Sequence, residues 1–560
     1  MIQTKRLVLG AVWLMLFVTC LGASAPPEAS RIVYVDGAGA EAEEGTRVGP
    51  FRTIEAALKV SEEGVIVRIA AGVYRENLVV VTPGLRLVGA GSGKTIIDAA
   101  KGCGIKIRAD GVSIADLSVR NAGKPAAVHV EKCGKVTISG CAVSDSPTTA
   151  FRCDKARDVE ILDNTISSCN EGVYLVASTR CTMKRNVMTK CKGALRVHNR
   201  PAKIDTNKPE HFNHTIDETN TWNGKAIYYR FRAKNETIEN CDPGILWLVL
   251  CDKMTLRNLT FDRSCGAVLV QTHNSTIEKS TFSKCSSWGM YILYSKHNVI
   301  KNNVFRDNPW GLRFEQSEEQ VTQNNVFVDN KSRGIAPWHS ETCHVIGNKV
   351  SGSEIGIMFK DCLLSSAVDN EVRDCTLFGI ELATYWGVVK QGNKLLNNRV
   401  DNAKYGLYIW GGKNKGLKKD TTVSGNIVAN CKIGLGLYWA KDTKVSDNTF
   451  LNVKHPMTDN ASAKNTTTTN TEIGIRLKVA VVDTKGQPVS GVEVRAVNSE
   501  GAEGSKVVTT GKDGRVELDL ILEFRKSPED VVSYGPYAVK ATKGEASATV
   551  AVDPKGSRDI

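Results

Sequence analysis

Through much of this chain a glycine returns every twenty-two or twenty-three residues, and an asparagine follows it fourteen places later. Gly172 with Asn186, Gly244 with Asn258, Gly289 with Asn303, Gly311 with Asn325, Gly334 with Asn348, Gly356 with Asn370 and Gly434 with Asn448 all keep that spacing. A period of this length, filled with short alternating apolar stretches and no helical pattern, predicts a solenoid in which each repeat is one coil stacked on the next. The residues after the glycine orient the coil. The first place (Val173, Ala194, Ile245, Ala267, Met290, Leu312, Ile335, Ile357, Ile380, Leu407, Leu435) is apolar throughout. So is the third (Leu175, Trp247, Leu269, Ile292, Phe314, Phe359, Leu382, Ile409, Leu437). Strand side chains alternate with a period of two, so these columns share one face, the interior, and the second and fourth places face out. The asparagines read as a structural stack, their amides paired from coil to coil where the backbone bends.

The flanking segments follow different rules. Lys5 and Arg6 precede an apolar run at 7–18, and Ala23-Ser24-Ala25 supplies small residues for cleavage. That run is too short to span a bilayer, so residues 1–25 read as a secretory signal peptide and the chain is expected to be secreted or periplasmic. No other stretch is long and apolar enough for a transmembrane segment. The solenoid is expected over 31–455, with a cap at 31–98 and an inserted loop module at 201–240. Residues 456–471 are polar and Thr-rich and read as a linker. From 472 to 560, short strands separated by turns such as Asp483-Thr484-Lys485-Gly486 predict a small antiparallel β-sandwich. The fold class is all-β.

Sixteen cysteines invite disulfides, but Cys20 lies in the leader. Cys169, Cys191, Cys241, Cys285, Cys375 and Cys431 all stand two to four residues before a repeat glycine, which marks a stack of small buried side chains. The formal charge is +13, from 73 basic and 60 acidic residues. In a secreted chain this excess suits an acidic polysaccharide, and the signal peptide disfavours nucleic acid.

The repeat resembles the right-handed parallel β-helix superfamily, which includes the pectin-lyase-like enzymes and the carbohydrate-binding and sugar-hydrolysis repeats. The likeness covers most of 31–455. It begins with Tyr34-Val35-Asp36-Gly37 and with Gly49-Pro50-Phe51-Arg52-Thr53-Ile54, which opens a short amphipathic cap helix. A second likeness runs from Asn213-His214-Thr215-Ile216 to Asn220-Thr221-Trp222-Asn223-Gly224-Lys225-Ala226-Ile227-Tyr228-Tyr229. It resembles the NosD-like module of periplasmic accessory proteins, around 211–258, and implies a non-catalytic, copper-related role. The C-terminal part resembles carboxypeptidase-regulatory-like and transthyretin-like domains. Copper rests on the NosD-like resemblance alone, because His198, His211, His214, His273, His297 and His339 are scattered. The residues specify no cofactor, and calcium is left open.

The outward columns carry the functional reading. Place two runs Tyr291, Arg313, Ala336, Met358, Glu381, Tyr408, and place four runs Leu293, Glu315, Trp338, Lys360, Ala383, Trp410, Tyr438. Place five adds Gln316, His339, Asp361 and Trp439. Coils stack about 4.8 Å apart, so Arg313, Glu315, Trp338, His339, Lys360, Asp361 and Glu381 share one patch. Aromatic faces beside charged groups suit a sugar chain, with Trp338, Glu381, Tyr408, Trp410, Tyr438 and Trp439 as substrate-binding residues. The aliphatic Val176, Val197, Leu248 and Val270 fill the corresponding places in earlier coils. Taken singly, each polar residue also fits an ordinary solvated surface, and the loops at 385–394 and 411–420 could cover the tryptophans. If the face is catalytic, His339 oriented by Asp361 would move a proton while Arg313 or Lys360 neutralises a uronate, as in a polysaccharide lyase. Alternatively Glu315 with Asp361 or Glu381 would serve a glycoside hydrolase. Gly334-Ile335-Ala336-Pro337-Trp338-His339 resembles a mannuronan-epimerase stretch, with Ala336 and Trp338 replacing its Asp and His. A non-catalytic binding protein and a purely structural surface solenoid are the competing classes.

Overall fold

The computed structural model describes residues 31–39, 44–198, 208–384, 392–411, 420–459, 466–498 and 504–552. The expected signal peptide, the loop segments 385–391 and 412–419 and part of the insertion lie outside these residues. The chain winds as a parallel β-solenoid. In one coil, Val299–Lys301, Val304–Arg306 and Trp310–Glu315 form the three sides, and each pairs in parallel with its counterpart in the next coil: Val321–Gln323, Val326–Val328 and Arg333–Trp338. The interior is closed by stacked like residues. Phe261, Phe282, Phe305 and Phe327 lie ring on ring, with centroids 4.6, 4.7 and 4.6 Å apart.

The glycine period has a steric cause. A Cβ on Gly311 would come within 2.5 Å of the Gly334 carbonyl oxygen, and one on Gly334 within 2.7 Å of the Gly356 oxygen. Glycine avoids these contacts between successive coils at this corner. The asparagines supply the complementary contact. From Asn303 through Asn325, Asn348, Asn370, Asn398 and Asn426 to Asn448, each side-chain oxygen accepts both the backbone N–H and the side-chain amide of the preceding asparagine, at 2.9 to 3.1 Å. A shorter run joins Asn164, Asn186 and Asn220.

One coil departs from the expected phase. In Ile245–Val249, Leu246 pairs with Ala267 and Leu248 with Leu269, so the even-numbered residues point inward. Ile245 and Trp247, expected inside the coil, face away from its interior and are buried in the cluster shared with the N-terminal coils, and Leu248, expected outside, lies in the coil interior. The same shift removes Asn258 from the ladder: it is exposed, with φ +53, and the Leu259 N–H donates to Ser280 Oγ in the ladder position instead. In the coil of Gly193–His198, Leu195 and Val197 pair with interior Val173 and Leu175, so Ala194 takes the glycine place and Val197 is buried. A slip of one residue exchanges the two faces of a strand.

At the start of the described solenoid, Ile54–Lys59 is a short helix whose Thr53 side chain accepts the Ala56 N–H. At the other end, part of the segment expected as a linker belongs to the stack, since Thr467–Thr469 pairs with Lys444–Ser446. Thr471–Ala480 then starts in parallel with Thr449–Leu451 while running antiparallel to Arg515–Arg525 along its whole length. Arg476, 4% exposed, is held there by Asp519 at 2.7 Å and by Asp401 of the solenoid. Glu493–Asn498, Tyr537–Lys543 and Ala546–Val552 add an antiparallel sheet, and Val494, Leu518, Leu520 and Val539 share its small core. The fifteen cysteines of the described residues are free thiols, all buried except the half-buried Cys103 and Cys241. No helix among the described residues is long and apolar enough to cross a membrane.

Candidate functional site

Strand pairing sets the outward columns side by side. Tyr291, Arg313 and Ala336 are lateral neighbours, and so are Met358, Glu381, Tyr408 and Gly436. Leu293, Glu315, Trp338, Lys360, Ala383, Trp410 and Tyr438 form the next column. Each strand ends on a residue in the left-handed region, with φ +49 at Gln316, +48 at His339, +51 at Asp361 and +52 at Trp439. The coil-to-coil ladder nevertheless continues through them: the His339 N–H donates to Lys360 O and the Asp361 N–H to Ala383 O, both at 2.8 Å. His339 and Asp361 therefore stay in register. The imidazole Nε2 lies 3.4 Å from the Asp361 carboxylate, with Asp361 1% exposed and His339 34%.

At the centre of the patch a guanidinium is enclosed by rings. Arg313 Cζ sits 4.0 Å from the Trp338 centroid, 5.0 Å from Tyr291 and 5.4 Å from Trp310. It pairs with Glu315 at 2.6 Å, and the Tyr291 hydroxyl donates to the same carboxylate. Burial holds the Tyr291 hydroxyl protonated far above its usual range. From the following coil, Lys360 Nζ lies 4.2 Å from the Trp338 centroid, and burial lowers its pKa. Cations from the coils before and after thus hold the Trp338 ring, which limits it as an open stacking platform. Arg333, 4.6 Å from the Trp310 ring, completes the cluster. Glu381 is 2% exposed and does not stand free on the surface as expected.

Further along, the aromatic residues pack on one another and are half-buried. Tyr408 stacks on Phe378 at 4.5 Å and meets Tyr405 at 5.1 Å and Tyr438 at 5.3 Å. Trp410 and Trp439 make an edge contact at 6.4 Å. Sequence reasoning missed Trp288, Trp310, Arg333, Phe378 and Tyr405. All five stand immediately before a repeat glycine, and the register puts them in one further lateral row. The signal was present as an aromatic and basic column at that place, but the residue before a glycine reads as part of a turn. The earlier coils are also less aliphatic than expected. Their outward residues include Arg152, Tyr174 and Arg196 in one column, and Asp154, Val176 and His198 in the next.

The right-handed β-helix region family matches residues 90–242, and the family described as periplasmic copper-binding protein (NosD) matches 213–388 and 330–478. Together with the parallel coils, these matches decide the family. The chain belongs to the right-handed β-helix superfamily. Its NosD-like module extends well beyond the expected 211–258. Among solved structures, this β-helix protein is similar to a pectin methylesterase variant in complex with a hexasaccharide, at 11% identity over 50% of this chain and 81% of that one, with a TM-score of 0.24. It is also similar to the catalytic domain of a GH87 α-1,3-glucanase in complex with tetrasaccharides, at 14% identity over 72% and 70%, with a TM-score of 0.29. A third is the A-module of a mannuronan C-5 epimerase from Azotobacter vinelandii, at 13% identity over 73% and 94%, with a TM-score of 0.19. No curated protein matches this chain.

A copper ion would require clustered histidine, methionine and cysteine side chains. Among the described residues no group of three or more His, Cys, Asp and Glu side chains could hold a metal ion. His214, one of the two neighbouring histidines of the insertion, has both ring nitrogens engaged: Nδ1 accepts the Cys181 N–H at 3.2 Å and Nε2 meets His211 O at 3.0 Å. It acts as a structural tie between coils. The described residues do not fit a resident copper ion.

Proposed function

We propose that this β-helix protein binds polysaccharide along its outward face, between Arg313 and Trp439. The observation that carries the reading is the run of half-exposed rings on successive coils, Phe378, Tyr405, Tyr408, Trp410, Tyr438 and Trp439, beside the Arg313–Trp338–Lys360 cluster. Such rings offer flat apolar faces to pyranose rings, and the flanking ions supply hydrogen bonds to hydroxyl and carboxylate groups. Arg313 carries its own counter-ion in Glu315. Asp361 and Glu381 likewise act on Lys360, so a preference for acidic chains draws on Arg333 together with these partly compensated cations. The leader-like residues 7–18 and the periplasmic description of the matching family support a secreted or periplasmic setting. Glycan-array binding by wild type, Trp410→Ala and Lys360→Met tests this. Trp410→Ala loses binding at every salt concentration, whereas the effect of Lys360→Met shrinks as salt rises. An array with no bound glycan, or a Trp410→Ala protein that binds like wild type, refutes the reading.

A catalytic version is favoured by one contact, the His339–Asp361 pair at 3.4 Å. The carboxylate would orient the imidazole for proton abstraction beside a uronate carboxyl, with Lys360 nearby to offset developing negative charge. Release of unsaturated uronate from alginate or pectate, abolished by His339→Ala, is the expected result for a lyase. Activity that survives the substitution removes His339 from the role. The NosD match supports a non-catalytic accessory role as the alternative. That reading predicts glycan binding or protein association without turnover.

A further inference from the structure

Among the described residues, no strand pairing joins the two halves of the outward face. Gly193–His198 is the last strand of a six-stranded parallel sheet, and the face resumes with Lys225–Phe231, which pairs with Thr221–Trp222 and Ile245–Val249. At this break lies a cleft of 520 Å³, a volume inside the span of roughly 300–1,000 Å³ common for small-molecule sites. Glu171, Arg196 and His198 line one side, and Trp247, Trp288 and Tyr291 the other. The one-residue shift in Ile245–Val249 has its effect here, since it turns Trp247 away from the interior of its own coil and into the hydrophobic cluster that walls the cleft.

The chemistry of the lining is specific. Trp247 is 4% exposed, yet its indole N–H has no hydrogen-bond partner among the described residues. The buried Nδ1 of His198 has none either. Buried polar groups are ordinarily satisfied, so two such atoms in one cleft point to a ligand that supplies the missing partners. Glu171 is 6% exposed and pairs with Arg196 at 2.9 Å, so the buried carboxylate is compensated, and the exposed Lys192 lines the rim of the cleft. Burial raises the Glu171 pKa. Burial, helped by Arg196, lowers that of His198 to about 4, leaving a neutral imidazole with one donor and one acceptor. Trp288 and Tyr291 stack at 4.9 Å and form an apolar wall.

We propose that this cleft binds an uncharged pyranoside, a mono- or disaccharide, whose hydroxyls meet Trp247 Nε1 and His198 Nδ1 while Trp288 and Tyr291 contact its ring. The site is distinct from the Trp410 patch, and the inference does not depend on polymer binding there. The test is saturation-transfer NMR with the full chain, titrated with the methyl glycosides of glucose, mannose and galactose and with the matching uronates. Saturable binding of at least one neutral glycoside is expected, with the uronates weaker. Trp247→Phe keeps the ring and removes the N–H, and weakens binding roughly two- to tenfold. Trp288→Ala weakens it further, and Trp410→Ala leaves it unchanged even where it abolishes polymer binding. Thermal unfolding of each variant confirms that it is folded. The proposal is overturned if no neutral glycoside saturates, if uronates bind more tightly, or if folded Trp247→Phe and Trp288→Ala bind as wild type does.

Discussion

Asn325 and Asn258 occupy the same distance from a repeat glycine and sit in opposite environments, so one substitution made at both separates ladder from spacing. Asn325 is fully buried; its amide donates to Ile300 O at 2.9 Å and to Asn348 Oδ1 at 3.0 Å, and its oxygen accepts from Asn303 N and Nδ2. Asn325→Asp preserves shape and the accepting oxygen but removes both donations, which leaves two buried acceptors facing a carboxylate. Asn348 Oδ1 keeps the Asn325 backbone N–H, so the cost comes from the lost donations and the buried charge, which the Asn303 donors partly offset, and the net loss is about 2–4 kcal/mol at neutral pH. At Asn258, exposed and with its side-chain amide donating to Asn240 Oδ1 at 3.3 Å, the same change stays within about 0.5 kcal/mol. Protonation restores one donor at position 325, so the folded-state pKa of the new carboxyl lies above its unfolded value near 3.9. The deficit is therefore smallest below about pH 4 and grows as the pH rises through the folded pKa. Hydrogen exchange read on peptides spanning 298–351, together with urea unfolding at pH 4 and 8, measures both effects. Equal destabilisation at the two positions, or a loss under about 0.5 kcal/mol at Asn325, would show that the ladder does not stabilise the stack.

Gly334→Ala places a methyl group 2.6 Å from Val350 Cγ1 and 2.7 Å from Gly356 O, and a loss of about 1–3 kcal/mol is expected in denaturant melts. A neutral result there would mean that the coils can separate at the glycine corner without cost. His198, whose folded pKa of about 4 lies below the ordinary 6.5, makes the unfolded chain the better proton acceptor between those values. Its contribution is complete above pH 6.5 and is lost as the pH falls through 4, at most about 3 kcal/mol. His198→Phe should flatten the acid side of the stability profile, and a profile identical to wild type below pH 6 would count against a buried neutral imidazole. Glu171, with its pKa raised by burial, acts in the opposite sense and loses its contribution as the pH rises.

The stacked architecture was legible because glycine and asparagine answer to separate constraints, one steric and one of hydrogen bonding, that repeat together. The outward columns from Tyr291 to Tyr438 were legible for the same reason, since each coil there has a clean alternation after its glycine. Ile245-Leu246-Trp247-Leu248-Val249 has none. With five apolar residues in a row, periodicity cannot choose a face, and counting from Gly244 picked the wrong one. Trp310 and Arg333 escaped notice because alternation counted back through the glycine from Leu312 and Ile335 points them inward, whereas both join the Arg313–Trp338 cluster. The cleft could not be read at all. It arises where an insertion interrupts the stack and brings Gly193–His198 near residues some fifty to ninety-five places later, and that kind of proximity leaves no local pattern.

The strand Thr471–Ala480 has a consequence for how these molecules meet one another. A column of parallel coils ends in a raw hydrogen-bonding edge, and a coil from another molecule could add to it in the same direction, with successive additions giving a filament. Here the edge beyond Thr449–Leu451 is taken by Glu472–Gly474, and the far side of that strand is taken by Arg515–Arg525 running the opposite way. Arg476, fastened between Asp401 and Asp519, keeps the reversing strand seated. On this one side of the coil the edge is covered by the part of the molecule that sequence pattern marked as an appended domain, whereas Thr467–Thr469 on a second side is the last strand of its sheet among the described residues.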